Sequence, residues 1–298
     1  MKFLLLTTPI RPVPTDYPPV GSLAILQSLQ EAGYDPIFFD VDALRPSFEE
    51  VIERVKREAP DVLGISAVVS TAYAYVKRLC RRLKEELPDT PIVLGGNLAA
   101  SAELLHRFCG VDYCVIGEGE RVIANLMRHL KRHRGRKEFG ELEKVRGITT
   151  LLANGEMAFT GYETQIPAED LLDPDYSLLE RFSRVEQFIS DPFGREDFAQ
   201  DPRSRQPHRS GKRMGTVTST KGCVARCTFC HRWDRGFRQI PPRKVVNRIR
   251  TLMDRHNVGF VMFGDENFGS DLRALDDLIE QIKPLDILWQ VGGVRVRS

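Results

Sequence analysis

The 298 residues of this chain suffice for two domains, and 42% hydrophobic with 28% charged residues is the composition of a globular rather than a disordered or fibrous protein. A net charge of +2 argues neither for nor against a nucleic-acid partner, and none is expected. No apolar stretch reaches the ~18 residues of a membrane helix, and the apolar run at residues 3–6 is too short for a secretory signal, so we expect no membrane span and a cytoplasmic protein.

The first 135 residues alternate short apolar runs with amphipathic segments. Strands are predicted over residues 2–7, 36–40, 62–66, 91–94 and 113–116. Helices are predicted over residues 20–32, 47–58, 71–87, 101–108 and 120–132, the second with Ser47 and Glu50 at capping-box spacing. Five strand–helix units in series favour an α/β fold, a flavodoxin-like (Rossmann-like) parallel sheet with helices on both faces. Ligands of such sheets bind beyond the carboxyl ends of the strands.

Small residues follow these strands and leave room for a large, flat ligand, whereas the glycine motifs of dinucleotide-binding and P-loop proteins are absent from the sequence. The elements that stand out are Asp16 with Gly21, Ser66-Ala67-Val68, and Gly95-Gly96. They resemble the D-x-H-x-x-G, S-x-L and G-G elements of the cobalamin-binding domain. A plain flavodoxin-like domain, in which the glycines only form turns, is the open alternative.

Pro18 stands where the cobalamin-binding family carries a histidine that ligates cobalt. Because proline has no donor atom, the resemblance implies base-off cobalamin without a histidine ligand. Gly117 begins a Gly-Glu-Gly-Glu run that is common in family members joined to a radical domain. The cobalamin contacts implied by the resemblance are Asp16, Gly21, Ser66, Gly95, Gly96 and Gly117.

Residues 136–212 are predicted to be a hairpin and a linker. Segments 148–152 and 157–160 flank an Asn-Gly turn, which is typical of a β-hairpin. Residues 191–212 are rich in Pro, Arg, Ser and Gly, and we expect irregular structure there. The basic run at 128–137 is interpreted as a solvated helix end, with contact to an anionic partner as the alternative.

Cys223, Cys227 and Cys230 follow a β-rich run at 214–220 with the spacing C-x3-C-x2-C. Three thiolates on one loop can bind three irons of a 4Fe–4S cluster and leave the fourth iron open to a small molecule. Structural zinc sites usually have four ligands, often in two C-x2-C pairs, and a second pair is absent from the sequence, so zinc is the weaker interpretation. The remaining cysteines are predicted to be buried packing residues: Cys80, Cys109 and Cys114.

This cysteine motif resembles that of the radical S-adenosylmethionine superfamily, in which the loop follows the first strand of a partial β/α barrel. The resemblance implies that the open iron binds S-adenosylmethionine and that one electron cleaves it to a 5′-deoxyadenosyl radical. Residues 213–298 would then form the first three of six strand–helix units, with strands at 258–263 and 285–296 and helices at 245–256 and 272–282. We expect a barrel that stops midway, in a chain that is truncated, split or completed by a second polypeptide.

Gly264, Asp265 and Glu266 follow the second predicted strand of this barrel and resemble the Gly-Gly-Glu motif that contacts the methionine amino group. By the same resemblance, Phe229 lies beside the adenine, and Arg295 reaches the carboxylate or ribose. The alternatives are that the two acids cap the next helix, that Phe229 packs in a core, and that Arg295 faces solvent.

The two resemblances together predict a cobalamin-dependent radical S-adenosylmethionine enzyme, with methylation of an unactivated carbon as the leading interpretation. Radical cyclisation or oxidative rearrangement without methyl transfer is one alternative. A non-catalytic fragment that binds cluster and cobalamin is another. The resemblance also implies a small-molecule substrate and an electron donor such as flavodoxin or ferredoxin, and no catalytic acid or base is assigned.

Overall fold

The structure, a computed structural model, describes residues 1–133, 139–194, 196–225, 227–228 and 236–295. It divides into two units. The first comprises Met1–Thr15, Pro19–Gln165 and Pro174–Arg184, and the second comprises Asp16–Pro18, Ile166–Asp173 and Val185–Ser298. No helix among the described residues is long and apolar enough to cross a membrane.

A seven-stranded sheet lies at the centre of the first unit. Its strands are β1 (Phe3–Thr7), β2 (Ile37–Phe39), β3 (Val62–Ser66), β4 (Ile92–Gly95), β5 (Tyr113–Val115), β6 (Ile148–Leu151) and β7 (Met157–Phe159). The sheet order is β2-β1-β3-β4-β5-β6-β7, and the first five strands of that order are parallel. This order of the parallel strands is that of flavodoxin-like folds. Every residue of β1 is buried, as expected for an inner strand of a parallel sheet.

Eight α-helices are described in the first unit. They are α1 (Val20–Glu31), α2 (Val41–Leu44), α3 (Phe48–Glu58), α4 (Tyr73–Glu86), α5 (Ala102–Cys109), α6 (Gly119–His133), α7 (Phe139–Leu142) and α8 (Ser177–Phe182). The predicted capping box is confirmed at α3, where the Glu50 N–H donates to the Ser47 hydroxyl and the Ser47 N–H donates to the Glu50 carboxylate. Short 3₁₀ turns at Ser70–Ala72 and Asn97–Ser101 follow β3 and β4 at the carboxyl edge of the sheet.

The predicted hairpin forms, but it extends the first sheet rather than standing apart from it. β6 pairs antiparallel with β5, with Cys114 opposite Thr149. The ring of His106 helps to fix this pairing, because its Nδ1 lies 2.8 Å from the Val111 carbonyl oxygen and its Nε2 lies 3.0 Å from Thr149 Oγ1. The hairpin thereby covers the edge of β5, whose backbone groups would otherwise lack partners.

A three-stranded parallel sheet organises the second unit. In chain order, the elements of this unit are α9 (Val185–Phe188), α10 (Glu196–Ala199), β8 (Arg213–Val217), β9 (Thr220–Gly222), β10 (Phe237–Gln239), α11 (Pro242–His256), β11 (Val258–Phe263), α12 (Leu272–Ile282) and β12 (Leu288–Val291). The order β12-β11-β8 places β11 at the centre, and β9 pairs antiparallel with β10. The strands β8, β11 and β12 alternate with the helices α11 and α12, which is the strand–helix alternation that the sequence predicts for this region.

The third strand of this sheet, β12, is shorter than the sequence suggested. Lys283–Leu285 forms a 3₁₀ turn that contains Pro284, and Asp286 adopts a φ of +50°. A proline and a left-handed residue interrupt an extended backbone, so the strand begins only at Leu288.

Candidate cofactor sites

The second and third cobalamin-type elements lie side by side at the carboxyl edge of the first sheet. Ser66 is paired with Gly95 in the register of β3 and β4. The pairing continues past the strands, because the Ala67 N–H donates to the Gly95 carbonyl oxygen at 2.9 Å and the Leu98 N–H donates to the Ala67 carbonyl oxygen at 3.0 Å. Two segments that are distant in sequence thus form one continuous backbone surface.

Packing requires a glycine at position 96 but not at position 95. Gly96 has a φ of +88°, and a Cβ atom there would lie 2.5 Å from the Ala67 carbonyl oxygen. That contact with the backbone disfavours any side chain at position 96, with or without a ligand. At Gly95 a Cβ would meet only Val115 Cβ, at 3.8 Å, among the described residues. Gly95 is therefore not required by packing, and its missing side chain leaves space above the sheet edge.

Gly117 follows β5 with a φ of +87°, and a Cβ there would have no described atom within 4 Å. Gly119, two residues later, is the first residue of α6. A Cβ on Gly119 would lie 2.7 Å from Ile25 Cδ1 of α1, so this glycine allows α6 to pack closely on α1. In the Gly-Glu-Gly-Glu run, helix packing thus favours glycine at position 119, and the positive φ favours glycine at position 117.

A buried carboxylate that the sequence analysis did not single out lies near the same edge. Asp40, after β2, is 1% exposed. Its Oδ1 accepts a hydrogen bond from Thr7 Oγ1 at 2.7 Å, and its Oδ2 accepts one from Ser183 Oγ at 2.6 Å. Burial raises the pKa of Asp40, and hydrogen bonds from Ser183, Thr7 and the Ala43 N–H oppose that rise. The sequence feature that could have indicated this residue is its position directly after the apolar run of β2.

Asp42, two residues further on, holds the loop that follows β1. Its carboxylate accepts hydrogen bonds from the Ile10 N–H at 3.0 Å and the Thr15 N–H at 2.9 Å. Arg45 donates to the same carboxylate at 2.7 Å and to the carbonyl oxygens of Arg11 and Val13. This network fixes the chain just before the predicted element at Asp16.

The first cobalamin-type element is divided between the two units. Gly21 lies in the first turn of α1, in the first unit, with no described atom within 4 Å of a Cβ built on it. Asp16, Tyr17 and Pro18 are grouped with the second unit. In that unit a Cβ on Gly264 would lie 3.2 Å from Tyr17 Cε1, and one on Gly292 would lie 3.5 Å from the Tyr17 hydroxyl oxygen. The sequence analysis did not predict that Tyr17 lies beside Gly264 and Gly292.

The segment that leads from β8 to the cysteines is held by Asp265. This residue follows β11 and is 5% exposed. Its Oδ1 accepts hydrogen bonds from the Ser219 N–H at 2.8 Å, the Thr220 N–H at 2.5 Å and Thr220 Oγ1 at 2.6 Å, and its Oδ2 accepts one from Ser219 Oγ at 3.2 Å. Burial raises the pKa of Asp265, and these four hydrogen bonds oppose the rise.

The two ends of the cysteine loop lie side by side, because Gly222 of β9 is paired with Phe237 of β10. Gly222 turns the chain with a φ of +80°. Cys223 is half-buried and accepts a hydrogen bond from the Ala225 N–H at 3.4 Å, and Cys227 is exposed. Cys230 and Phe229 lie outside the described residues. Within the part of the chain that is described, no three His, Cys, Asp or Glu side chains form a metal-binding group.

The other predicted S-adenosylmethionine contacts are spread over the ends of β11 and β12. The Gly264 N–H donates to the Val217 carbonyl oxygen at 2.9 Å, which sets the start of the 264–266 motif beside the end of β8. Glu266 is exposed, unlike Asp265. Arg295 is exposed and lies beyond β12 in irregular backbone, at the last described position.

Comparison with known proteins gives a family match that includes the carboxyl edge of the first sheet. Residues 7–127 match the family model of the B12 binding domain. The chain is 28% identical over 284 residues to the anaerobic magnesium-protoporphyrin IX monomethyl ester cyclase of Rubrivivax gelatinosus, covering 93% of this chain and 47% of the relative. It is 23% identical over 257 residues to the cytidylyl-2-hydroxyethylphosphonate methyltransferase of Streptomyces wedmorensis, covering 82% and 46%. The chain spans about half the length of the curated relatives it matches.

Two solved structures share the fold over nearly the whole chain. The cobalamin-dependent S-adenosylmethionine radical enzyme OxsB, with aqua-cobalamin and S-adenosylmethionine bound, matches with a TM-score of 0.70 at 18% identity, over 94% of this chain and 37% of that one. The radical S-adenosylmethionine methyltransferase TsrM from Kitasatospora setae, with cobalamin and a [4Fe-4S] cluster bound, matches with a TM-score of 0.62 at 18% identity, over 94% and 50%.

The chain has an α/β fold, and its residues 7–127 match the B12 binding domain. The fold is similar to those of a cobalamin-dependent S-adenosylmethionine radical enzyme and a radical S-adenosylmethionine methyltransferase, and the predicted fold class is confirmed.

Proposed function

We propose that this chain is the cofactor-binding part of a cobalamin-dependent radical S-adenosylmethionine enzyme that methylates an unactivated carbon. The observation that carries the proposal is the cysteine loop that follows β8, in a chain whose residues 7–127 match the B12 binding domain. A 4Fe–4S cluster on Cys223, Cys227 and Cys230 would supply the electron that cleaves S-adenosylmethionine to a 5′-deoxyadenosyl radical, and cobalamin would supply the methyl group. A division into residues 1–135, 136–212 and 213–298 is part of this proposal.

The residues at the cysteine loop fit a cluster. Thiolates rather than thiols ligate iron, so ligating cysteines must be able to lose their protons. Cys223 is half-buried and Cys227 is exposed. In the first unit, by contrast, burial raises the pKa of the three other described cysteines, Cys80, Cys109 and Cys114. The pairing of Gly222 with Phe237 closes the base of the loop, as a compact ligand loop requires. The reducing cytoplasm that we expect would keep these thiols free for iron.

The carboxyl edge of the first sheet fits a flat ligand. Ser66 and Gly95 present a small side chain and bare backbone there, and packing does not require the glycine at position 95. Asp42 fixes the loop that leads toward Asp16. Pro18 offers no donor atom, so the proposed cobalamin is base-off with no histidine ligand. Cobalamin contacts for Gly21, Gly96 and Gly117 also belong to this proposal.

Radical cyclisation without methyl transfer is the second candidate function. Similarity to a protein named as an anaerobic magnesium-protoporphyrin IX monomethyl ester cyclase favours it, while similarity to a protein named as a methyltransferase favours the first candidate. Because the chain spans about half the length of these relatives, the substrate, an electron donor such as flavodoxin or ferredoxin, and a second polypeptide that completes the barrel are proposals about the whole enzyme.

Anaerobic reconstitution with iron and sulfide tests the cluster. We expect about four irons per chain and a 4Fe–4S absorbance band in the wild type. Cys227→Ala should lose the band, and the control Cys80→Ala should keep it. Stoichiometric zinc without iron in the wild type would overturn the proposal.

Cobalamin binding is tested separately by the change in the absorbance of added aquacobalamin. Gly95→Leu, which fills the open space above the sheet edge, should weaken binding while cluster loading stays intact. Equal binding by wild type and Gly95→Leu would contradict a cobalamin site at this edge. For the complete enzyme, transfer of label from the S-adenosylmethionine methyl group to product distinguishes methyl transfer from cyclisation.

A further inference from the structure

The segment at residues 218–220, three to five residues before Cys223, is held from three directions within the second unit. Asp265 binds Ser219 and Thr220. The Ile240 N–H and Gln239 Nε2 each donate to the Ser219 carbonyl oxygen at 2.9 Å, at the end of β10. Arg248 of α11 donates to the Thr218 carbonyl oxygen at 3.2 Å. The start of the cysteine loop is therefore preorganised by β11, β10 and α11 together.

The carboxylate of Asp265 is the member of this network that joins the two predicted motifs. A carboxylate has about four lone-pair sites, and the two N–H and two O–H groups of Ser219 and Thr220 match that number. A buried carboxylate without such donors is strongly unfavourable, so the side chain and the loop stabilise each other. Its direction toward the loop contrasts with the exposed side chain of Glu266.

We propose that Asp265 is a positioning residue that fixes the cysteine loop against the end of β11, and that it is not a ligand of the methionine ammonium group. This inference rests on the proposed radical function. It assigns different roles to the residues of the predicted 264–266 motif. Asp265 orients the loop that carries Cys223, and the ammonium contact falls to Glu266 and to backbone carbonyl groups of residues 264–266. Supporting residues of this kind typically change metal affinity or activity about 10- to 100-fold when they are removed.

Asp265→Asn separates the two roles. Asparagine keeps one oxygen for the three donors on Oδ1, and its amide can donate to the Ser219 hydroxyl, which also accepts. If Asp265 positions the loop, the Asn variant should retain cluster content and the electron paramagnetic resonance change on adding S-adenosylmethionine, with an affinity within about 3-fold of wild type. If the carboxylate binds the ammonium ion, the Asn variant should keep its cluster but lose S-adenosylmethionine affinity about 10-fold or more, and that result would overturn the proposal.

Asp265→Ala and the apoprotein provide readouts that do not depend on turnover. The backbone N–H groups of Ser219 and Thr220 should exchange with deuterium about 10-fold faster in apo Asp265→Ala than in apo wild type. The Ala variant should also hold about 10-fold less iron after reconstitution at limiting iron. Asp271→Ala is the matched control, because the Asp271 carboxylate accepts hydrogen bonds from the N–H groups of Arg273 and Ala274 at the start of α12. Its loop amides and iron content should match wild type.

These results separate the positioning role from the proposed function. Unchanged exchange at Ser219 and Thr220 together with unchanged iron content in Asp265→Ala would refute the positioning role while the cluster stands. Absence of a 4Fe–4S cluster in wild type would refute the proposed function, whereas the exchange experiment on the apoprotein would still report on Asp265. Far-ultraviolet circular dichroism verifies that each variant is folded before either result is read.

Discussion

The ring of Tyr17 packs against Gly264, where a Cβ atom would lie 3.2 Å from Tyr17 Cε1 and 3.1 Å from Thr216 Cγ2. Both distances are tighter than ordinary van der Waals contact, so a side chain at 264 must displace one of its neighbours. The first glycine of the 264–266 motif is thus explained by packing within the second unit, before any ligand is considered.

Gly264→Ala should therefore destabilise the second unit by about 1–3 kcal/mol, the usual cost of inserting a methyl group into a packed contact. Truncation of Tyr17 to Ala in the same chain should recover part of this loss, because the tyrosine ring is one of the two groups that the new methyl meets. Urea unfolding of the two single variants and the double variant measures this coupling. Strictly additive losses would show that Tyr17 and position 264 do not interact in solution.

Gly96→Ala should destabilise the first unit by about 2 kcal/mol or more, since alanine would combine a left-handed backbone with a close approach to the Ala67 carbonyl oxygen. Gly21→Ala is the contrasting variant. Position 21 lies in α1 and a Cβ there meets no described atom within 4 Å, so alanine should be neutral or stabilise by up to ~1 kcal/mol. Urea unfolding compares the two variants, and equal stability would contradict the close contact between Gly96 and Ala67.

The pH dependence of stability should carry a contribution from Asp40. Burial raises its pKa, so the folded state retains the proton at a pH at which the unfolded chain, with an aspartate pKa of about 3.9, has lost it. The contribution of Asp40 to the free energy of unfolding is therefore largest below that pH. It decreases as the pH rises through the folded-state pKa and then levels off.

Asp40→Asn removes this titration while the amide can still pair with Thr7 and Ser183. Relative to wild type, the variant should gain stability as the pH rises from about 4, by about 1.4 kcal/mol for each unit of pKa shift. Urea unfolding of both proteins over a series of pH values measures the difference, which cancels the other titrating groups. A difference that does not change with pH would contradict a raised pKa for Asp40.

Local patterns were sufficient for most of the secondary structure. The bounds of β3, β11 and α12 agree with the sequence prediction to the residue, because each is an apolar or amphipathic run that ends at polar or turn-forming residues. The third barrel strand was predicted too long. Its apolar pattern extends past Leu288 in both directions, while Pro284 and the left-handed Asp286 shorten it at one end.

The candidate sites were predictable only where a topological rule connects distant segments. Parallel strands end at one edge of a sheet, so the neighbouring positions of Ser66 and Gly95 follow from their places after consecutive strands. No such rule links Asp40 to Ser183, 143 residues away, or Asp265 to Thr220. These buried carboxylates choose their partners by tertiary packing, which leaves no local pattern, and the placement of Tyr17 beside Gly264 has the same origin.

Among the described cysteines, those of the first unit should react more slowly with a thiol reagent than Cys227 of the second unit. Burial raises the pKa of Cys80 and Cys109 and raises that of Cys114 to about 12, so these thiols are both shielded and protonated at neutral pH. Cys227 is exposed. Brief iodoacetamide treatment of the native apoprotein, read by peptide mass spectrometry, should therefore modify Cys227 first and leave Cys80 and Cys114 unmodified.

Treatment in denaturant is the control, because every cysteine should then react at a similar rate. Reconstitution with iron and sulfide before treatment should protect Cys223 and Cys227, since a thiolate that ligates iron is no longer available to the alkylating reagent. Modification of Cys80 as fast as Cys227 in the native protein would contradict the buried packing of the first unit. Modification of Cys227 at an unchanged rate after iron loading would place the metal elsewhere in the chain.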